Sequence, residues 1–249
     1  MRSSLIIAFV LASIGHAFGN FAELTKQGDV YDAKNEPDAA LQYYLPAEKL
    51  EPANAALLVK IARQYVFRMT DLAAKSEKIA SGRKALAYAE RAVKAAPSEC
   101  DPHLSVAICL GKLTPFMGNK ESVEASRQIK LSAEKAVKLN PRNDYAWHLL
   151  GRWHQELADI GGVTRALAYV AYGGLPAASN EEAVRCFEKA IALRPDRLIH
   201  HIELGRTYAA MGRKDDAIKL LRQGLAMPNV EKDDPETKQR GKATLEKLS

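Results

Sequence analysis

Five stretches of this chain end alike, each an apolar and basic helix tail that runs into a proline. They are AEKLEP to Pro52, AVKAAP to Pro97, AVKLNP to Pro141, AIALRP to Pro195 and GLAMP to Pro228. Between these stops apolar residues return with the period of a helix, and self-similar segments at such intervals predict stacked helical units. A register tests this reading. With Gly28 at position 8 of a unit, the next position 8 falls ten residues after each of the first four prolines, on Ala62, Ala107, Gly151 and Gly205. All are small, as a close helix–helix approach requires. Ala183, Phe187 and Ala190 fill the matching places of the fourth unit, and Ala217 that of the fifth. The pattern predicts paired antiparallel helices over residues 22–228, closed by a polar helix at about 235–248.

The residues at these places resemble the tetratricopeptide (TPR) repeat. Tyr145-Ala-Trp147-His-Leu-Leu150-Gly151-Arg-Trp-His154 contains W-x2-L-G-x2-H, similar to the W-x2-L-G-x2-Y of that repeat. Leu204-Gly205 with Tyr208 marks the last unit, and Gly28, Tyr31, Ala40, Tyr44, Ala47 and Pro52 mark the first. The resemblance implies an all-α fold, a right-handed TPR-type superhelix of about five antiparallel helix pairs plus a C-terminal capping helix. Units two, three and four exceed the 34-residue repeat by about 11, 10 and 20 residues, all between their first (A) and second (B) helices. About eleven residues make three helical turns, so 70–81 and 114–124 are predicted to be lengthened helices with displaced loops. The insert at about 159–180 is bracketed by Gly161-Gly162 and Gly173-Gly174. Its residues 163–172 are predicted to form a short apolar helix lying against the superhelix.

GRWHQELADI with its apolar insert, LPAASNEEAVRCFEKAIALRP, and ELGRTYAAMGRKDDAIKLLRQGLAMP together look like the regulator of microtubule dynamics family. The likeness covers roughly residues 22–248 and is most specific over 145–228. It implies a helical adaptor, associated by family name with microtubules.

Composition narrows the class without naming an activity. Apolar residues at 47% and charged residues at 27% exclude wholesale disorder. Forty of the 249 residues are alanine, the best helix former, which favours a helical protein. The net charge of +6 comes without a Lys/Arg block or interleaved aromatics, so no nucleic-acid partner is expected. Its distribution is uneven: residues 18–52 carry three basic and seven acidic side chains, and residues 53–97 carry nine and three. Three cysteines make no disulfide framework; Cys186 is expected to be a small buried residue. Trp147 is read as a packing residue. His148 and His154, and the pair His200-His201, lack metal-site spacing, and no nucleophile elbow, phosphate loop or HExxH motif occurs. No catalytic residue, metal or cofactor is expected.

Met1-Arg2, the apolar run from Leu5 to Ile14, and Gly15-His16-Ala17 fit a signal peptide over residues 1–17. The expected mature chain, 18–249, is one TPR-like domain that is not membrane-spanning and is exported, periplasmic or secreted. The alternative from the family resemblance is a cytoplasmic, microtubule-associated chain, since a microtubule partner requires that the chain is not exported.

Helix geometry locates a candidate groove. At 100° per residue, positions 2, 5, 9, 12 and 13 of each A helix lie opposite the packing side, and the TPR resemblance implies that this side lines a concave face. Arg63, Arg152 and Arg206 fall at position 9, with Phe67, Leu104, Lys112, Tyr145, His148 and Ile202 around them. Guanidinium groups bind carboxylates bidentately, so the leading reading is a non-enzymatic scaffold for a protein or peptide partner, with an acidic one the best fit. The alternative is a small molecule or lipid held by the groove and the 163–172 helix. A receptor for a C-terminal carboxylate is disfavoured, because Asp29 stands where such TPR domains carry asparagine.

Overall fold

The computed structural model describes residues 20–248; the signal peptide expected over 1–17 lies outside them. The described regular structure is all helical. Helix α1 is described over 20–32. It is followed by α2 (Pro37–Leu50), α3 (Ala55–Asp71), α4 (Lys75–Ala95), α5 (Cys100–Leu113), α6 (Asn119–Leu139), α7 (Asp144–Ala158) and α8 (Gly162–Tyr172). The last four are α9 (Asn180–Leu193), α10 (Leu198–Ala210), α11 (Lys214–Ala226) and α12 (Asp234–Leu248). The chain divides into two compact units, one up to Pro97 and one from Ser98 onward. The first holds the pairs α1–α2 and α3–α4. The second holds α5–α6, α7–α9 and α10–α11, with α12 packed on α10 and α11.

The proline stops fall just after the B helices, and side-chain caps start α3 and α7 after two of them and α9 after the insert. Asn54 accepts from Leu57 N–H, Asn143 from Ala146 N–H, and Ser179 from Glu182 N–H. Each cap satisfies one of the free amides at a helix start.

Within each pair the register resolves into a rule of sizes. A Cβ on Gly28 would stand 2.3 Å from the Tyr44 ring, one on Gly151 2.9 Å from the Phe187 ring, and one on Gly205 2.9 Å from Leu221 Cγ. Once the inserts are discounted, those three partners occupy one equivalent place on their B helices. In the two pairs where alanine replaces glycine, that place is Ala89 opposite Ala62 and Ala133 opposite Ala107. All four alanines are fully buried, as are Tyr44, Phe187 and Leu221. A large B-helix side chain thus goes with glycine, and a small one with alanine.

The inserts lengthen helices as expected, with one exception. Between units' first and second helices, α3 and α4 extend to 17 and 21 residues and meet through 72–74. After α5, however, only α6 is lengthened, to 21 residues, while α5 stops at Leu113 and gives way to a 3-10 turn over Thr114–Phe116. Pro115 explains the stop, because a proline cannot continue the α-helical hydrogen-bond ladder. Helix α8 forms where the apolar insert predicted it. It ends on Gly173 at φ 74°, a left-handed cap that glycine adopts without cost. Arg127 of α6 donates to the carbonyls of Tyr172 and Gly174, at 2.6 and 2.8 Å. The helix lies against α6, but most of its large apolar side chains face away from it: Ala168 is buried, while Leu167, Tyr169 and Val170 are 65, 72 and 85% exposed. Carbonyl hydrogen bonds and a small-residue contact dock this helix.

Two glycines test the size rule. Gly205→Ala meets Leu221 and the backbone at 3.1–3.2 Å, which cannot swing aside, and is expected to cost about 1–3 kcal/mol. Gly111→Ala, inside α5 with open space around it, is expected to gain roughly 0.5–1 kcal/mol. Urea denaturation of the two variants checks both signs.

Candidate functional site

In the first unit the uneven charge of the sequence becomes a set of helix–helix pairs. Lys60 meets Asp29 at 2.6 Å, Arg63 pairs with Asp32, Arg68 meets Asp38 at 2.7 Å, and Arg91 meets Glu48 at 2.5 Å. Each pair joins an acid from the first helix pair to a base from the second. Asp29 also accepts from the Tyr44 hydroxyl at 2.6 Å. Burial raises the Asp29 carboxyl, but Lys60 and Tyr44 outweigh it and hold it below its usual value. Arg63 is therefore engaged by an acid of its own unit, and Phe67 nearby is half-buried.

The other seven candidates lie in the second unit, where the structure sorts them. Leu104 is corrected from groove to core: it packs with Ala136 and Ala146, between α5, α6 and α7. His148 is likewise internal, 4% exposed. His200 Nε2 lies 2.9 Å from Asp144 Oδ2, and its Nδ1 lies 3.0 Å from Nδ1 of His148. The carboxylate needs a donor, so His200 donates through Nε2 and accepts at Nδ1 from His148. Arg197 closes this chain from outside, 2.9 Å from Asp144 and 4.4 Å above the Tyr145 ring. Burial pushes both imidazoles below the ordinary histidine value.

Arg152 and Arg206 do come together, on a carboxylate that the sequence reading did not single out. Glu203, with no exposed surface, receives Arg152 at 2.7 Å and Arg206 at 2.6 Å on Oε2, and Arg240 of α12 at 3.2 Å on Oε1. Burial raises the Glu203 carboxyl, but the three guanidinium groups outweigh it and bring it down to about 2. Arg152 is also paired with Glu156, and Gln155 donates to the Glu203 carbonyl and to Thr207 Oγ1 at 3.0 and 2.9 Å. The basic position-9 row of this unit is thus internally neutralised. A charge reversal at Arg152 or Arg206 would place a second carboxylate beside Glu203 and act on folding.

Ile202 is fully buried between α11 and α12: Gly224 and Gly241 lie against its side chain, Leu221 shares its cluster, and Leu245 and Leu248 border it. Lys112 of α5 reaches Asp233 at 2.6 Å, and Arg197 reaches Glu231 at 3.4 Å. Of the A-helix side chains predicted to face a groove, Lys112 and Ile202 therefore meet the segment that holds Asp233 and Gly241 of the same chain. A polar cavity of about 290 Å³ remains beside α12, lined by Gln155, Glu156, Arg206, Thr244 and Lys247 among others. The insert helix α8 docks on α6, so it and the Ile202 cluster are covered separately. Trp147 packs at the edge of the Ala133–Leu150–Cys186 cluster, whereas Trp153 is the deeply buried tryptophan and donates to the Ser126 carbonyl at 2.9 Å.

Glu203 had one sequence signal: a lone acid in the apolar run of HHIELG. Asp144, Arg197 and Arg240 carried none, because their cross-helix partners are 34–56 residues away or lie beyond the repeats.

The buried network predicts how stability follows pH. Histidines held neutral by burial stabilise fully above their unfolded value of about 6.5, and that contribution falls as acid protonates the unfolded chain. Urea midpoints should therefore drop between pH 7 and 5.5, and His148→Gln should flatten that slope. Glu203→Gln should cost roughly 3 kcal/mol at pH 7, the low end for a broken buried pair, because the three arginines are partly exposed and regain water.

Comparison with known proteins places this arrangement. The family model described as "Regulator of microtubule dynamics protein 1-3" matches residues 23–249. Mouse regulator of microtubule dynamics protein 1 is 28% identical over 206 residues, 82% of this chain and 67% of that protein. The bovine protein of the same name is 29% identical over 77% of this chain and 61% of its own length. Among solved structures, a thermophilic TPR protein of Thermus thermophilus superposes with a TM-score of 0.66 at 18% identity, covering 90% of this chain and 98% of that one. YrrB, described as a TPR protein with an unusual peptide-binding site, gives 0.50 at 16% identity over 90% of this chain and 90% of its own. These names overturn the expectation of export. Microtubules are cytosolic polymers that an exported chain never meets, so the comparisons favour the cytoplasmic alternative. The TPR-type helix pairs, the inserts between them and the match over residues 23–249 agree: the chain belongs to the regulator of microtubule dynamics family.

Proposed function

We propose that this chain is a non-enzymatic helical adaptor that holds an acidic segment of a partner protein against the A helices of its second unit. The observation behind this reading is that Lys112 of α5 and Arg197 before α10 turn toward an acid-led stretch of polypeptide, and that Ile202 of α10, packed on Gly224 of α11, also meets the helix that follows this stretch. A face built this way complements a segment that opens on carboxylates and continues as a helix, a recurring mode of peptide recognition. The peptide-binding description of YrrB, which shares the fold, fits this use of it. Glu203, Asp144, His148 and His200 are engaged in internal hydrogen bonds, which suits a binding role. The names of the relatives, regulators of microtubule dynamics, supply the setting.

Co-sedimentation of the full chain with polymerised tubulin tests both parts. The bound fraction is expected to fall steeply between about 50 and 300 mM salt, because exposed charges are screened over roughly 10 Å at 0.1 M. Lys112→Glu should lower binding at least about fivefold. Its partly exposed pair contributes only about 0.2–1 kcal/mol, so melting should hardly change. A chain that stays in the supernatant at every salt concentration rules out the microtubule setting, and an unaffected Lys112→Glu variant rules out this face.

A further inference from the structure

The face assigned to a partner is already occupied, and the occupant is held in an unusual way. Asp234 Oδ2 accepts from the amides of Val230 and Glu231, both at 2.7 Å, which folds the acidic stretch into a turn. That turn presents Glu231 to Arg197 and Asp233 to Lys112. Helix α12 then lays Thr237, Gly241 and Leu245, at a four-residue spacing, along α10. Thr237 is fully buried, and Gly241 lies against Ile202. This is how a short helical ligand sits in a groove.

Its anchorage is weak beside that of its neighbours. The buried residues of α12 are Asp234, Thr237 and Gly241, whereas α10 buries Leu198, Ile202, Leu204 and Tyr208. Two buried polar atoms at the contact, Arg197 Nε and Asp233 Oδ1, have no hydrogen-bond partner. Elements with few buried apolar side chains open before the rest of a structure. When α12 leaves, Lys112 loses Asp233, Arg197 loses Glu231 and keeps Asp144, and Ile202 keeps α11 but loses its cover on the other side, while Glu203 keeps Arg152 and Arg206.

We infer that residues 229–248 are a built-in competitor for the groove of the second unit. The partner that displaces them is a helical segment of the same chemistry, with two or more carboxylates in its leading turn and small side chains every four residues behind it. The inference rests on the adaptor reading and adds to it the class of partner and the device that regulates access.

A fluorescein-labelled peptide of residues 229–248 and hydrogen exchange on the full chain test it. In the unsubstituted chain, amides of 236–247 should exchange at least about tenfold faster than those of 202–209. The full-chain variant Asp233→Lys/Glu236→Lys should speed α12 by a further factor of about ten and bind the peptide at least about tenfold tighter than the parent does. Adding Lys112→Glu should remove that gain. The inference is overturned if α12 is as protected as α10 in the parent, or if the variant binds the peptide no better. Should the double variant loosen α10 itself, the exchange ratio of the unsubstituted chain decides the matter. Failure to sediment with microtubules would leave these readouts standing, and equal protection of α12 and α10 would overturn the competitor without touching sedimentation.

Discussion

Each helix pair in this chain depends on one approach, that of a single small residue on the A helix to a fixed place on the B helix. The space there holds a limited number of atoms, and the five pairs divide it in two ways. Glycine on the A helix admits Tyr44, Phe187 or Leu221, and alanine faces alanine. Interiors are packed as densely as organic crystals, so neither side can grow without displacing the other. The choice matters beyond the pair. A ring or a leucine reaching across to glycine carries apolar area into the pair, whereas an alanine pair brings two smooth helices together and leaves their outer faces to carry specificity.

Charge carries much of that specificity in the first unit. Its first helix pair is acidic and its second basic, and four ion pairs join them. Several of these side chains are exposed enough for water to weaken them, so each contributes little to stability. Their use is in choosing the neighbour: two acidic pairs, or two basic pairs, would repel one another when stacked. In the second unit the same residue types do a different job. Glu203 is fully enclosed, and three guanidinium groups compensate the cost of burying its charge. A buried group of this kind tolerates little rearrangement and fixes how α7 and α10 are set against each other.

The sequence made the helix pairs legible because small residues and prolines are local signals that recur in one register. It also located α8, since paired glycines bracket an apolar run, and the cap near residue 235. What it could not convey is which side chains find each other across long separations. Arg152 and Arg206 were recognisable as neighbours on one face, but the carboxylate between them reads as one acid in an apolar helix. Leu104 and His148 satisfy the angular rule for a groove, yet they are covered, because the next helix lies over them: Ala146 of α7 packs on Leu104, and His200 of α10 bonds to His148. Angular position on a helix predicts direction; burial depends on what lies in that direction.

The end of a helical array sets two demands against each other. The last pair needs a cover over Ile202 and Leu198, or apolar surface would face water. A binding face needs the opposite, a surface left vacant. An apolar cap with leucines at each buried place would satisfy the first demand and close the face for good. The cap in this chain places Asp234, Thr237 and Gly241 at its buried positions and fastens itself by carboxylates to Lys112 and Arg197. Such a helix shields the end of the array when nothing else is bound, yet its hold is mostly electrostatic and small in buried area. Competition between an internal segment and an external one requires that the internal hold be of comparable strength to the external one, and a cap made of small side chains and ion pairs meets that condition where an apolar one would not.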